Sequence, residues 1–260
     1  MKIVVIIPSR TAPFKLQEML QEARRLESGK HDVRYVVGID DDDQNTLAMG
    51  TMLRLQSPQY RYRVFKRMSS LGQMSNIIAG ENPSDCYCSL GNDAEIMTHD
   101  WDEAIHKAWS VRPDGVFWWK GCECPIVSDR WFKAAGYLYT DYFPFWWDDN
   151  WLIQLWAMAS DGPQLFIEAA LADKPLGTLR MRDLLFWTRF YGAMKPERQR
   201  EAARIAIALG WPVGSLEDET GDVKDHFWKM IESVEKGQGE KEPPTPEYLK
   251  AFERAQRLVA

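Results

Sequence analysis

The chain has 260 residues, 45% of them hydrophobic and 27% charged, which is the balance of a water-soluble globular protein built as one domain, or as one domain with an appended subdomain. Its formal net charge of −6 gives no overall basic field that would draw it to nucleic acid or an anionic membrane. The apolar run at Met1–Ile7 is too short for a signal peptide, and no stretch reaches the about 20 apolar residues of a membrane span, so a cytoplasmic protein without a membrane span is expected.

Lys2–Ile7 is a β-branched run ending at Pro8 and reads as a buried strand. Phe14–Leu26 carries Phe14, Leu16, Met19, Leu20, Ala23 and Leu26 at near-helical spacing. Val33–Ile39 reads as a second strand, Thr46–Leu55 as a helix and Arg61–Lys66 as a short strand. Gly72–Ala79 opens a helix that stops near Gly80 and Pro83. Asp85–Leu90 is a strand ending in Gly91-Asn92-Asp93, Trp101–Val111 an amphipathic helix, and Gly115–Lys120 a strand. Strands therefore alternate with helices to about residue 120, the pattern of a mostly parallel α/β sheet. Past residue 155, Arg180–Arg189, Pro196–Leu209, Asp222–Val234 and Pro246–Val259 look helical. This gives an expected core over 1–160 and a helical C-terminal region over 161–260.

In a parallel sheet, ligands gather at the C-terminal strand ends. Three polar clusters fall there: Pro8-Ser9-Arg10, Asp40-Asp41-Asp42-Asp43, and Asn92-Asp93. Four adjacent carboxylates repel one another, so their place after a buried strand points to a ligand: a base and ribose, or a metal-bound diphosphate. Two further carboxylates, Asp148 and Asp149, emerge from the aromatic run Tyr142–Trp151. Aromatic walls raise a carboxyl pKa by desolvation, which suits a general base near neutral pH, and they stack on sugar faces. The same aspartates also suit the N-terminus of a helix over Trp151–Ala159.

These segments, in this order, resemble glycosyltransferases of the GT-A fold close to family 2: Pro-Ser-Arg after the first strand, Gly-Ile-Asp-Asp-Asp-Asp, Gly-x-x-x-Asn at Gly72–Asn76, Leu-Gly-Asn-Asp-Ala-Glu at Leu90–Glu95, and Phe-Trp-Trp-Asp-Asp-Asn-Trp-Leu. The resemblance covers residues 2–157. It implies a Rossmann-like nucleotide-binding sheet and transfer of a sugar from a nucleoside-diphosphate donor, a UDP-sugar above others, to a hydroxyl acceptor with inversion. It implies that Pro8, Ser9 and Arg10 line the nucleotide, and that Asp40, Asp41 or Asp42 holds the base and ribose. Gly72, Asn76 and Asn92 lie near the diphosphate. Asp93 is the main ligand of a divalent cation, Mn2+ or Mg2+, with Glu95 and His226 as further candidates. Asp149 is the first choice of base and Asp148 the second. Trp146, Trp147 and Glu123 are candidates for the acceptor side. The acid pair here is Asp-Asp where the family more often has Glu-Asp, and the first Asp of the usual metal motif is replaced by Gly91 or Asn92.

The four cysteines form two Cys-x-Cys pairs, Cys86/Cys88 and Cys122/Cys124, read as reduced thiols in preference to a zinc site. His99 and His106, seven residues apart, read as surface or capping residues. The segment 180–211 holds seven cations against three acids, a net of +4. It reads either as ordinary helix surface or as a patch for an anionic acceptor: a glycan, a lipid phosphate, or nucleic acid such as a hydroxymethylated DNA base of phage type. A nucleotidyltransferase and a non-catalytic nucleotide- or sugar-binding module are the alternatives to a glycosyltransferase.

Overall fold

The computed structural model describes residues 1–68, 70–122, 124–144, 147–173, 182–214, 216 and 244–259. The expected helix at Asp222–Val234, and the candidate residues Glu123, Trp146 and His226, lie outside the described residues.

The framework is one eight-stranded sheet of mixed direction. The strands are β1 (Lys2–Ser9), β2 (Asp32–Asp40), β3 (Tyr60–Phe65), β4 (Cys86–Ser89), β5 (Ala94–Ile96), β6 (Val116–Lys120), β7 (Pro125–Ser128) and β8 (Leu165–Asp173). Their order across the sheet is β3-β2-β1-β4-β7-β6-β8-β5. β1, β2, β3 and β4 run parallel, as do β6 and β8, while β7 is antiparallel to both its neighbours and β5 is antiparallel to β8. β8 follows residue 160, so the sheet runs on into the segment expected to be helical.

β1 explains how the sheet divides the core. All of Ile3–Ile7 is buried, which demands cover on both faces. Ile3, Val5 and Ile7 point into one apolar cluster, and Val4 and Ile6 into the other, because successive side chains alternate. The first cluster takes Leu16, Met19, Leu20 and Ala23 of α1 (Pro13–Arg25), Met49 and Leu53 of α2 (Gln44–Gln56), and Trp101 and Ile105 of α4 (Trp101–Val111). The second takes Met74 and Ile78 of α3 (Leu71–Glu81), Trp131 of α5 (Asp129–Ala135), and Trp151, Leu155 and Trp156 of α6 (Asp148–Ser160). It continues into α7 (Leu184–Ala193), α8 (Lys195–Leu209) and α9 (Pro246–Val259).

The C-terminal helices pack on the core. Tyr248 of α9 donates to Asp183 at 2.6 Å and accepts from Trp187 Nε1 at 3.1 Å, while Arg254 pairs with Asp141 at 2.9 Å. Beneath α6, Trp151 Nε1 donates at 3.1 Å to Glu201 of α8, which also accepts from the Tyr137 hydroxyl. Burial raises the Glu201 pKa. These contacts hold α6 from behind, and its first turn carries Asp148 and Asp149.

Candidate active site

A cavity of about 670 Å³ opens at the C-terminal ends of β1 and β4. Pro8 ends its wall on one side, Leu90 and Gly91 form its floor after β4, and Gly72 opens α3 above it. Asp148 and Asp149, the first two residues of α6, line the opposite side. Trp147 precedes them with a left-handed backbone, φ 78°, which turns the chain sharply into the helix. That turn sends both carboxylates toward the cavity. It also sends the Trp147 indole inward, where it is 2% exposed and stacks on Tyr191 at 4.6 Å. Trp147 therefore packs α6 against α7 and presents no face to an acceptor, a correction to its expected place on the acceptor side.

Asp148 is the electrostatic anomaly of the cavity. Burial, then the adjacent Asp149 carboxylate, pushes its pKa up to about 8. The Asp149 N–H donates to Asp148 at 3.0 Å, and the Asn150 N–H and side-chain amide donate to Asp149 at 2.7 and 3.2 Å. Hydrogen bonds to a carboxylate favour its charged form, and at Asp148 burial outweighs them.

The acidic run after β2 is divided among several tasks. Asp43 caps α2, accepting from Thr46 N–H at 3.2 Å and Thr46 Oγ1 at 2.6 Å, and it also accepts from Thr11 N–H at 2.7 Å. This one carboxylate is thus required by the fold. Asp40 and Asp42 both hold Arg10, Asp40 at 2.6 Å and Asp42 through two bonds of 2.6 and 2.9 Å. Arg10 holds the exposed Asp42 below its ordinary pKa. Asp41 is exposed, with its N–H bonded to Phe65 O at 2.7 Å. Pro8 reaches the cavity and the next residues, Ser9 and Arg10, lead away from it to this charged cluster.

Gly72 and Asn76 bind protein. The Asn76 side chain accepts from the N–H groups of Leu138 and Tyr139 and donates to Tyr139 O, at 2.7, 3.1 and 2.7 Å. A Cβ on Gly72 would lie 2.8 Å from Tyr139 Cβ, so only glycine allows α3 to approach this loop. Tyr139 itself lines the cavity, and burial, then nearby Cys124 and Asp148, holds its phenol well above its ordinary pKa.

Asn92 is buried and donates to Ser9 Oγ at 3.1 Å, which ties the loop after β4 to the end of β1. Asp93 folds back over Gly91, its Oδ1 taking the space a side chain at 91 would need. Glu95 is half-buried in β5. One carboxylate beside the cavity floor, Asp93, fits a cation that is otherwise held by a diphosphate and water, since Mg2+-like ions use one or two protein carboxylates there.

Sequence reasoning passed over several cavity residues. Cys122 and Cys124, with sulfurs 3.2 Å apart, line it beside Ser75, Ser89, Gln164 and Phe166. The Cys-x-Cys spacing was visible, but nothing in it indicated a cavity. All four cysteines are unbridged, and burial holds the Cys88 thiol far above its ordinary pKa, consistent with reduced thiols. Two of the cations of segment 180–211 are engaged in packing, while Arg189, Lys195 and Arg200 are exposed. Arg198 is 3% exposed and lies over the Tyr191 ring, Arg204 donates to the Ala134 and Ala135 carbonyls that end α5, and Arg200 pairs with Glu197. Arg198 and Arg204 are thereby used in packing, while Arg200 stays exposed.

No protein-family model matches the sequence, and no curated protein matches it. Solved structures do. A structure of residues 1–349 of S. aureus TarS covers 100% of this chain and 83% of its own, at 12% identity and a TM-score of 0.57. The complex of the same TarS fragment with UDP-GlcNAc matches with a TM-score of 0.55 at 11% identity, over 100% of this chain and 82% of its own. Mannosyltransferase PcManGT from Pyrobaculum calidifontis, solved with GDP-Man and Mn2+, matches with a TM-score of 0.53 at 12% identity, over 99% of this chain and 85% of its own. The fold is that of the GT-A glycosyltransferases. The mixed α/β sheet and its helical C-terminal extension agree with the architecture expected from the sequence.

Proposed function

We propose that the protein is a glycosyltransferase that moves a sugar from a nucleoside-diphosphate donor, a UDP-sugar or GDP-sugar, to a hydroxyl acceptor with inversion. The observation that carries this reading is the acid pair Asp148/Asp149 facing a cavity at the C-terminal ends of parallel strands, with Asp148 held near pKa 8. A base that works near neutral pH needs a proton affinity of that order. The fold shared with donor-bound TarS and PcManGT supports the donor class.

The chemistry follows from the cavity walls. The donor diphosphate lies along Pro8, Gly91 and the N-terminus of α3, where helix N–H groups favour negative charge. Arg10, Asp40 and Asp42 form the rim that meets the base and ribose. The acceptor oxygen attacks the anomeric carbon from the side opposite the diphosphate. The carbon–oxygen bond to the diphosphate breaks, the leaving group takes the bonding pair, and the acceptor proton passes to an Asp148 or Asp149 carboxylate oxygen. Asp148 is the preferred base on its raised pKa, which reverses the order expected from the sequence. Asp93 is the residue that would hold Mn2+ or Mg2+, whose chemistry is to neutralise charge on the departing diphosphate. Phe166 is 52% exposed on the cavity wall and offers the apolar face for an acceptor sugar that the buried Trp147 does not.

Calorimetric titration with UDP, GDP and dTDP, with and without Mn2+, tests the donor site. Saturable, Mn2+-dependent binding of one nucleotide supports the reading. Absence of binding to all three under both conditions rejects it.

A further inference from the structure

Just before the N-terminal end of β2, at the end of the parallel strands opposite the cavity, His31 sits against α4. Its side chain is 7% exposed, and neither ring nitrogen makes a hydrogen bond. A buried imidazole with both nitrogens unsatisfied carries the desolvation penalty of two polar atoms, and native proteins seldom leave such groups without a partner. Two metal-ligating side chains face it from α4. Glu103 Oε1 lies 3.5 Å from His31 Nε2, and the His106 ring lies 4.8 Å from the His31 ring, centroid to centroid. Glu103 and His106 are one helical turn apart, so they share a face. One ligand atom from each of the three residues falls within 4.8 Å of the others.

We propose that His31, Glu103 and His106 form a binding site for a borderline divalent cation of the zinc type, separate from the donor cavity. Two imidazoles and one carboxylate form a donor set that zinc takes in tetrahedral sites, with a fourth position left to water. The Glu103 carboxylate now pairs with the Lys30 ammonium at 3.2 Å. A cation bound here takes over the counter-charge role of that ammonium. Zinc bonds of about 2.0–2.1 Å need ligands closer together than they now stand, so binding requires movement of the Glu103 and His106 side chains. Glu103 also lines an open cavity of about 550 Å³ with His99, Asp100 and Lys107, which gives a hydrated ion a way in. The sequence reading paired His106 with His99. The fold pairs it with His31, 75 residues earlier in the chain, a juxtaposition that no local spacing reveals.

The test uses the full-length protein, stripped with chelator and titrated with ZnCl2 alone and with CoCl2 alone. The site predicts about one equivalent of zinc and a tetrahedral Co2+ visible spectrum without a thiolate charge-transfer band. Both persist in Cys122→Ser. His106→Ala, at a half-buried helix position, weakens the zinc affinity by more than about tenfold, and His31→Asn does the same if it folds. Failure of wild type to bind zinc overturns the proposal. So does zinc binding left unchanged by His106→Ala, or a thiolate band that disappears in Cys122→Ser.

Discussion

Asn76 and Tyr139 are joined by two hydrogen bonds, side-chain amide to carbonyl at 2.7 Å and backbone N–H to side-chain carbonyl at 3.1 Å. This link fixes the middle of α3 against the loop that supplies Tyr139 to the cavity. The resemblance implied a place for Asn76 near the diphosphate; in the structure its side chain bonds the backbone of Leu138 and Tyr139. Asn76→Ala removes both bonds and the one from Leu138 N–H, leaving buried backbone groups unpaired. The expected loss is about 1–3 kcal/mol of stability. Urea unfolding of the variant measures it.

Gly72 makes the same junction sterically. In Gly72→Ala the new Cβ meets Tyr139 Cβ at 2.8 Å and Thr140 O at 3.4 Å, atoms on or next to the backbone that cannot rotate away. Either α3 or the Tyr139 loop must move, and the cavity deforms. Nucleotide affinity is expected to fall by at least about tenfold, a loss of about 1.4 kcal/mol of binding, while the fold survives. Calorimetry together with circular dichroism separates the two effects.

Arg10 is the counter-charge for two carboxylates at once. Arg10→Ala removes the cation shared by Asp40 and Asp42, leaving Arg67, 4.0 Å from Asp42, as the nearest counter-charge recorded for the pair. Charge-assisted hydrogen bonds of this kind are strong, so nucleoside-diphosphate affinity is expected to drop by about tenfold or more. Titration at low and high salt checks the prediction, since the effect on the exposed Asp42 side weakens as salt screens it.

Much of this arrangement was legible because it rests on continuous patterns. Ile3–Ile7 and Val33–Ile39 are apolar runs too uniform for a half-exposed strand, and the polar residues that follow them mark the rim. The acid pair stood out because carboxylates seldom occur within an aromatic run. β8 was missed although Ile167, Ala169 and Leu171 alternate with outward Phe166 and Glu168, because its alanines have little strand preference. β7 is four residues long and starts at Pro125, a residue that reads as a break. β5 has three residues, too few for a period. The burial of Trp147 and the pairing of His31 with His106 depend on a positive φ and on a long-range packing contact, neither of which has a local signature.

Asp148 links stability to pH with a definite sign. Its folded pKa of about 8 lies above the unfolded value of about 3.9, so the folded state favours the protonated acid. That contribution is fully present below the unfolded pKa and is lost as pH rises through about 8. Asp148→Asn mimics the protonated acid at every pH. The variant is therefore expected to melt a few degrees above wild type at pH 8, with a smaller gap at pH 5, and thermal melts across that range read it directly. Under the same titration, transfer by the wild type rises with pH and levels off above about 8, because the base must be unprotonated to accept the acceptor proton.

The central claim is that the acid pair takes the acceptor proton at a donor site built by other residues. Its most direct test is nucleoside-diphosphate release from a set of UDP- and GDP-sugars by wild type, Asp148→Asn and Asp149→Asn, with nucleotide affinity measured in parallel. The account predicts turnover of one donor class by wild type, a loss of at least about 100-fold in one of the two variants, and nucleotide affinity nearly unchanged in both. Turnover at the wild-type rate in both variants would contradict it.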